Sequence, residues 1–452
     1  MSHFRFIHAA DIHLGSLLNI DRPNKQMSSL QERAVYDAFE RLCKIGIDQD
    51  IDFLLIAGDL YDSDSKNIYA NKFFIRMCNE LKDKGIDLYV LAGNHDPLNQ
   101  QWDYFDLPDN VKIFSADQAD QYLVEREGQV LARIIGQSYK SKWESRRVYE
   151  GFELDKDGIF NIGLLHTQLE SGDKKYIPAR ATDLAKNEAI HYWALGHIHR
   201  PQLIRDQDPV IAYPGIPQAR DFGEQDQGGA YLVEVRGTRI VKMAYLAVSS
   251  VIYKTVEIDI SSRELKEAKT LNDLEDHIIA IGQSLAESQT GKWPADLEEI
   301  ADNNLAQQPV EAYIIRWLIK GRGQLHKLLK DLGQEGESEL AEGLRRQLAG
   351  LSPLIWTDSI QLRTGMPITR ELEADYQHII DMMDQAISGL YEDQSQQNEL
   401  LDLLGRLWTR QEDPEDRDYL KFHLDDKTLK QMTDSAKQLV LEKLVDREVT
   451  SK

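Results

Sequence analysis

Over its first 246 residues this chain repeats one pattern: short apolar runs of strand length, most ending in Gly, His or Asp, alternate with longer amphipathic stretches. The runs fall at 4–8, 53–57, 88–92, 130–135, 159–165 and 192–195. Between the second and third, Ala70, Phe73, Phe74, Met77, Cys78 and Leu81 recur at helical spacing over 67–84. Short apolar runs alternating with helices predict an α/β or layered α+β domain, and the polar residues gather where strands stop, the place layered folds reserve for chemistry.

Asp11 and His13 follow the first run, Asp59 and Asp62 the second, and Asn94, His95 and Asp96 the third; His166 and the pair His197 and His199 follow two later ones. Taken singly, an Asp after a strand reads as a turn or helix cap and a His as a satisfied surface or core residue. Together they read differently, because strand alternation aims Asp11 and His13, and likewise His197 and His199, at one point. Two divalent ions about 3.5 to 4 Å apart can clamp a phosphate and activate water at neutral pH. Mixed imidazole, carboxylate and carboxamide donors suit Mn²⁺, Fe²⁺ or Zn²⁺ better than Ca²⁺ or Mg²⁺.

In order and spacing, Asp11-Ile12-His13, Gly58-Asp59-Leu60-Tyr61-Asp62, Gly93-Asn94-His95-Asp96, His166 and Gly196-His197-Ile198-His199 resemble the motifs of calcineurin-like metallophosphoesterases. Within them, HAADIHLGS at 8–16 and YPGIPQARDFGE at 213–224 resemble SbcD-type DNA-repair nucleases, which work with an SMC-like coiled-coil ATPase. The resemblance implies a β-sandwich flanked by helices that holds two divalent metals, most often Mn²⁺. Asp11, His13, Asp59 and His199 would hold one and Asp59, Asn94, His166 and His197 the other, with Asp59 bridging. His95 would face the scissile phosphate, oriented by Asp62. It further implies a nuclease domain at 1–248, a small α+β capping domain that guides DNA at 249–367 and a helical tail at 368–452 that docks on the ATPase. The 67–84 helix would form a homodimer interface, although Phe73, Phe74 and Met77 fit an internal core equally well.

The later segments carry the texture this division needs. Strand-like stretches at 251–258, 310–319 and 355–363 surround a helix-like 271–287, and helical patterns follow at 368–391, 398–408 and 427–446, broken by polar connectors at 394–398 and 411–418. A chain of 452 residues exceeds what one core usually sustains. Cys43 and Cys78 lack zinc-site spacing and read as reduced, cytoplasmic core residues. The apolar runs are far too short to span a membrane, and the strand at 4–8 leaves no room for an export signal.

Charge points the other way. Lys and Arg number 53 against 76 Asp and Glu, a net charge of -23, and the last 82 residues hold 20 acids and 10 bases. Binding to a nucleic-acid backbone needs positive groups facing phosphates. The local exception is KSKWESRR, where Lys140, Lys142, Arg146 and Arg147 surround Trp143: a DNA contact, or a solvated loop. The acidic balance favours a second reading, a phosphodiesterase or phosphatase for small substrates. A third, a non-catalytic scaffold for the ATPase, is disfavoured because every metal and catalytic position is filled.

Overall fold

The computed structural model describes residues 2–450 apart from 22, 63–66, 99–105, 171–174, 289–308, 368–375, 394, 397–398, 401–402 and 404–425. The connector at 411–418, most of that at 394–398 and most of the expected 398–408 helix therefore lie outside the described residues.

Two six-stranded sheets are built from the first 247 residues. The strands are β1 (His3–Ala9), β2 (Phe53–Ala57), β3 (Asp87–Leu91), β4 (Val111–Ile113), β5 (Asp120–Arg126), β6 (Gln129–Gly136), β7 (Phe160–His166), β8 (Tyr192–Gly196), β9 (Gln202–Arg205), β10 (Val210–Tyr213), β11 (Gly229–Arg236) and β12 (Arg239–Ala247). One sheet runs β12-β11-β1-β2-β3-β4, the other β5-β6-β7-β8-β10-β9. The apolar runs of the sequence become the parallel interiors, β1-β2-β3 and β6-β7-β8.

Alternation explains why those runs are apolar throughout. Phe4, Phe6, Phe53, Leu55 and Tyr89 face the other sheet, where they share a core with Phe160, Ile162 and Tyr192; Phe4 meets Phe160 at 5.7 Å and Phe6 meets Tyr192 at 5.5 Å between ring centroids. The intervening Ile7, Leu54, Ile56, Leu88 and Val90 face helices α1 (Lys25–Asp48) and α2 (Ile68–Lys82). The second sheet buries Leu165, Trp193 and Ile211 on its outer face under Phe152 and Leu184. Strands covered on both faces have no solvent side to carry polar residues. The layered fold expected from the sequence is the fold found.

Phe73, Phe74 and Met77 take the core alternative, being buried in α2 and packed towards α1, with Phe73 4.9 Å from Tyr36. Ile68 and Tyr69, one turn earlier, are exposed. Both cysteines are buried and free, and burial pushes their thiols up.

Beyond the sandwich, a third sheet has the order β13 (Val251–Asp259), β14 (Ala312–Arg322) and β15 (Leu354–Gly365). Further helices span Leu271–Ser288, Leu325–Leu348, Gln377–Glu392 and Asp426–Thr450. Two compact units result, one of residues 1–255, 283–315 and 348–358, the other of 256–282, 316–347 and 359–452. No helix among the described residues is long and apolar enough to cross a membrane.

One buried histidine of the sandwich gives the fold a pH dependence. His8 on β1 donates from Nε2 to the Leu195 carbonyl at 3.1 Å and accepts at Nδ1 from the Tyr192 hydroxyl at 2.9 Å. Burial pushes its pKa down to about 3. Its neutral form is the one that fits, so its contribution to stability is complete above the unfolded value near 6.5 and is lost as pH falls from there towards 3. In urea titrations at several pH values, wild type should lose its advantage over His8→Asn by about 1.4 kcal/mol per pH unit below about 6. A difference that stays flat with pH would contradict this account of His8.

Candidate metal centre

The loops that leave β1 and β2 run side by side beyond the sheet. The Asp11 amide donates to the Gly58 carbonyl at 3.0 Å, that of His13 to Asp59 at 3.0 Å and that of Leu14 to Leu60 at 2.8 Å. This course forces Asp11, His13 and Asp59 to φ 51°, and His197 on another loop to φ 97°. Four non-glycine residues in or near the left-handed region at one place is the kind of backbone strain that gathers at functional sites.

Those loops, with the ends of β3, β7 and β8, bring the sequence-predicted donors together. Asp11, His13, Asp59 and His166 are fully buried or nearly so, and Asn94 is 6% exposed. Backbone amides fix both carboxylates: His197 N–H donates to Asp11 at 2.9 and 3.1 Å, and His95 N–H to Asp59 Oδ1 at 2.9 Å. His166 donates from Nδ1 to the Ala57 carbonyl at 2.9 Å, which turns Nε2 into the site, 3.4 Å from Asp59 Oδ2. The Asn94 carboxamide oxygen lies 2.9 Å from His166 Nε2 and 3.0 Å from His197 Nδ1. On the other side, His13 Nε2 faces His199 Nε2 at 3.4 Å and Asp59 Oδ2 at 4.0 Å, and His199 Nε2 lies 3.8 Å from Asp11. Asp59 Oδ2 thus faces both groups of imidazoles.

This donor set fits divalent cations. Asp11, His13 and His199 lie close enough to share one ion, as do Asp11, Asp59 and His166. Two imidazole nitrogens 3.4 Å apart, and a buried His13 Nδ1 with no hydrogen-bond partner among the described residues, suit ligands better than a packed core. Burial alone would raise the Asp59 carboxyl, but His166 and His13 outweigh it and hold it well below the usual range. His166, which burial would lower, is raised to about 9 by Asp59 and Asp11, while burial takes His197 down to about 3. The glycines belong to the same geometry: a Cβ on Gly58 would sit 2.2 Å from His166 Nδ1, and one on Gly93 2.2 Å from Asp59 Oδ1.

His95 is more open than the deep donors, with its side chain 38% exposed; its ring lies 5.0 Å from that of His13, and its Nδ1 3.5 Å from Asp62 Oδ1, so that His13, Asp62 and His95 form a third close group. The hydrogen bond to Asp62 raises the His95 pKa, and the same contact holds Asp62 well below the ordinary carboxylate range. Asp62 also accepts from the Ser16 hydroxyl at 2.9 Å.

Three further residues order the site. Glu224 lies 2.5 Å from His199 Nδ1 and accepts from the Arg220 guanidinium at 3.0 Å and from the Arg220 amide at 2.7 Å. Arg220 reaches Asp62 as well, at 3.5 Å, so one cation joins the carboxylates behind His199 and His95. A carboxylate behind a ligating imidazole fixes its tautomer and raises its basicity. Asp96 accepts from the Gly93 and Tyr61 amides at 2.8 and 3.1 Å and ties two of the loops together. Glu224 and Arg220 lie inside the 213–224 segment, singled out in the sequence only for its resemblance.

The basic cluster lies on the surface of the same domain and is largely matched by acids. Lys140 pairs with Asp117 at 2.7 Å, Arg146 with Glu144 at 2.6 Å and Arg147 with Glu150 at 3.5 Å, while Lys142 Nζ lies 5.6 Å from the Trp143 ring centroid.

Residues 4–201, which contain every one of the converging donors, match the calcineurin-like phosphoesterase family. The domain that carries this centre belongs to that family, and it is a metallophosphoesterase domain. Among curated proteins, an uncharacterized metallophosphoesterase of Bacillus subtilis, YhaO, is 31% identical over 61% of this chain and 66% of its own length. The DNA double-strand break repair protein Mre11 of Methanocaldococcus jannaschii is 26% identical over 59% of the chain and 71% of its own. The SbcD subunit of the Escherichia coli nuclease SbcCD is 28% identical over 49% and 62% respectively. The chain spans about two thirds of the length of these relatives.

Proposed function

We propose that this protein is a two-metal DNA nuclease, an exonuclease and endonuclease that works as one subunit of a complex with an SMC-like ATPase in DNA repair or processing. The observation that carries the catalytic part is the position of Asp59 Oδ2, 3.4 Å from His166 and 4.0 Å from His13, between two groups of buried donors. Asp11, His13, Asp59 and His199 would hold one ion and Asp59, Asn94, His166 and His197 the other, with Mn²⁺ the natural occupant of such mixed donors. When bound, the ions supply Lewis acidity towards the phosphate and lower the pKa of water. His95, open to solvent and backed by Asp62, gives a proton to the leaving oxygen. Glu224 holds His199 in one tautomer.

The likeness to Mre11 and to the SbcD subunit of SbcCD supports DNA as substrate and an ATPase as partner. The division into a nuclease domain at 1–248, a capping domain at 249–367 and a docking tail at 368–452 belongs to this proposal. Met382, Leu403, Leu439 and Val440, apolar and exposed on the tail, support docking. A homodimer would use the exposed Ile68 and Tyr69 at the start of α2. The cytoplasm is the compartment these roles require.

The charge of -23 and the paired cations at 140–147 favour the second reading, hydrolysis of small phosphodiesters. One assay separates the readings. With Mn²⁺, the protein should cleave both linear DNA and a chromogenic phosphodiester, and its activity on DNA should fall steeply with salt. Cleavage of the chromogenic ester alone would establish the second reading, and cleavage of neither the scaffold.

A further inference from the structure

A row of aromatic rings leads from the candidate metal centre to the surface. The Tyr176 ring lies 4.6 Å from that of His197, tilted by 38°, and the Trp143 ring lies 5.6 Å from Tyr176, tilted by 55°, so that Trp143 offers the stacking face and Tyr176 its edge wall. Tyr176 is half-buried, whereas Trp143 is 49% exposed, unusual for an indole with no core to fill. Two ammonium groups stand over Trp143, Lys175 Nζ at 5.3 Å and Lys142 Nζ at 5.6 Å from the ring centroid. Lys142 and Lys175 both have exposed side chains.

The backbone holds this row in place. The Glu144 amide donates to the Lys175 carbonyl at 2.9 Å and the Ile177 amide to the Glu144 carbonyl at 2.6 Å, so the segments bearing Trp143 and Tyr176 are bridged directly beside the two rings. The Ser141 hydroxyl donates to the Trp143 carbonyl at 2.8 Å, and the buried Glu144 carboxylate is itself clamped by Arg146. An exposed indole fixed in this way binds a flat partner without first losing its own freedom.

We propose that Trp143 and Tyr176 form a stacking platform for an unpaired nucleobase of the strand whose phosphate enters the metal centre, with Lys142 and Lys175 meeting the adjacent phosphates. This rests on the reading of DNA as substrate and deepens it: the platform selects an unstacked strand over an intact duplex at the point of cleavage. Base stacking on aromatic side chains tolerates any sequence and, with a basic flank, is how proteins hold single strands. A cation over an exposed ring is held more weakly than a stacked base, so Lys142 can leave the ring face for phosphate when a base arrives.

The test measures Mn²⁺-dependent cleavage of a single-stranded oligonucleotide by the full chain, wild type, Trp143→Ala and Trp143→Phe, with manganese content as the check on the centre. Trp143→Ala should raise KM roughly ten- to a hundred-fold, with the effect on KM and not on kcat, and Trp143→Phe should recover most of it. Removing one base near the cleaved bond, as an abasic nucleotide, should weaken the wild type but not Trp143→Ala. Equal KM values for wild type and Trp143→Ala, or an abasic penalty equal in both, would overturn the platform and leave the nuclease reading standing. If the wild type cleaved no oligonucleotide yet hydrolysed a chromogenic phosphodiester, the DNA reading would fall and the platform with it.

Discussion

Replacing His95 by asparagine should lower the rate of phosphodiester hydrolysis by about 10²- to 10⁴-fold while the protein stays folded and keeps its metals. The reason is positional. The deep donors are buried and turned towards one another, whereas the His95 ring is 38% exposed and engages Asp62 at 3.5 Å. In the proposed mechanism a group so placed would meet the substrate and move a proton, and its loss would remove an interaction made in the transition state, which lowers kcat and kcat/KM together. His197→Asn, by contrast, should shed metal, because His197 Nδ1 converges on the Asn94 oxygen with His166. Kinetics combined with elemental analysis distinguish the two; loss of metal from His95→Asn to the extent seen for His197→Asn would show that the roles are misassigned.

The second large effect belongs to Asp59. Asparagine keeps an oxygen to accept the His95 amide at the Oδ1 position but removes the negative charge that Oδ2 turns towards His166 and His13. Activity should fall below detection, and affinity should drop for both ions. Asp11→Asn is the informative contrast: Asp11 Oδ1 lies 3.8 Å from His199 Nε2, and although Asp11 also groups with Asp59 and His166, the His166 atom it approaches, Nδ1 at 4.0 Å, is already committed to the Ala57 carbonyl. It should weaken one ion and spare the other.

The convergence of the candidate donors was legible because polar residues at strand ends leave a regular trace: a strand can be read from its apolar run, and Asp11 with His13, or His197 with His199, sit two positions apart. Glu224 and Arg220 leave no such trace. They stand 25 and 21 residues beyond His199, on a loop whose return to the site depends on the tertiary fold. The pairing of β1 with β11 is hidden for the same reason, since His3 meets Arg236 across most of the domain's sequence. For Phe73, Phe74 and Met77 the helical period was plain, but an apolar face reads alike whether α1 or a second chain covers it. The cations of KSKWESRR show the converse: their count was visible, but their pairing with Asp117, Glu144 and Glu150 was not.

Everything proposed for catalysis depends on two ions sharing Asp59. The decisive measurement is therefore metal stoichiometry, by elemental analysis after equilibration with Mn²⁺ and removal of the unbound ion, for wild type, Asp11→Asn and Asp59→Asn. The account predicts two manganese ions per wild-type chain, about one for Asp11→Asn and fewer still for Asp59→Asn. One ion per wild-type chain, or equal losses in the two variants, would contradict it.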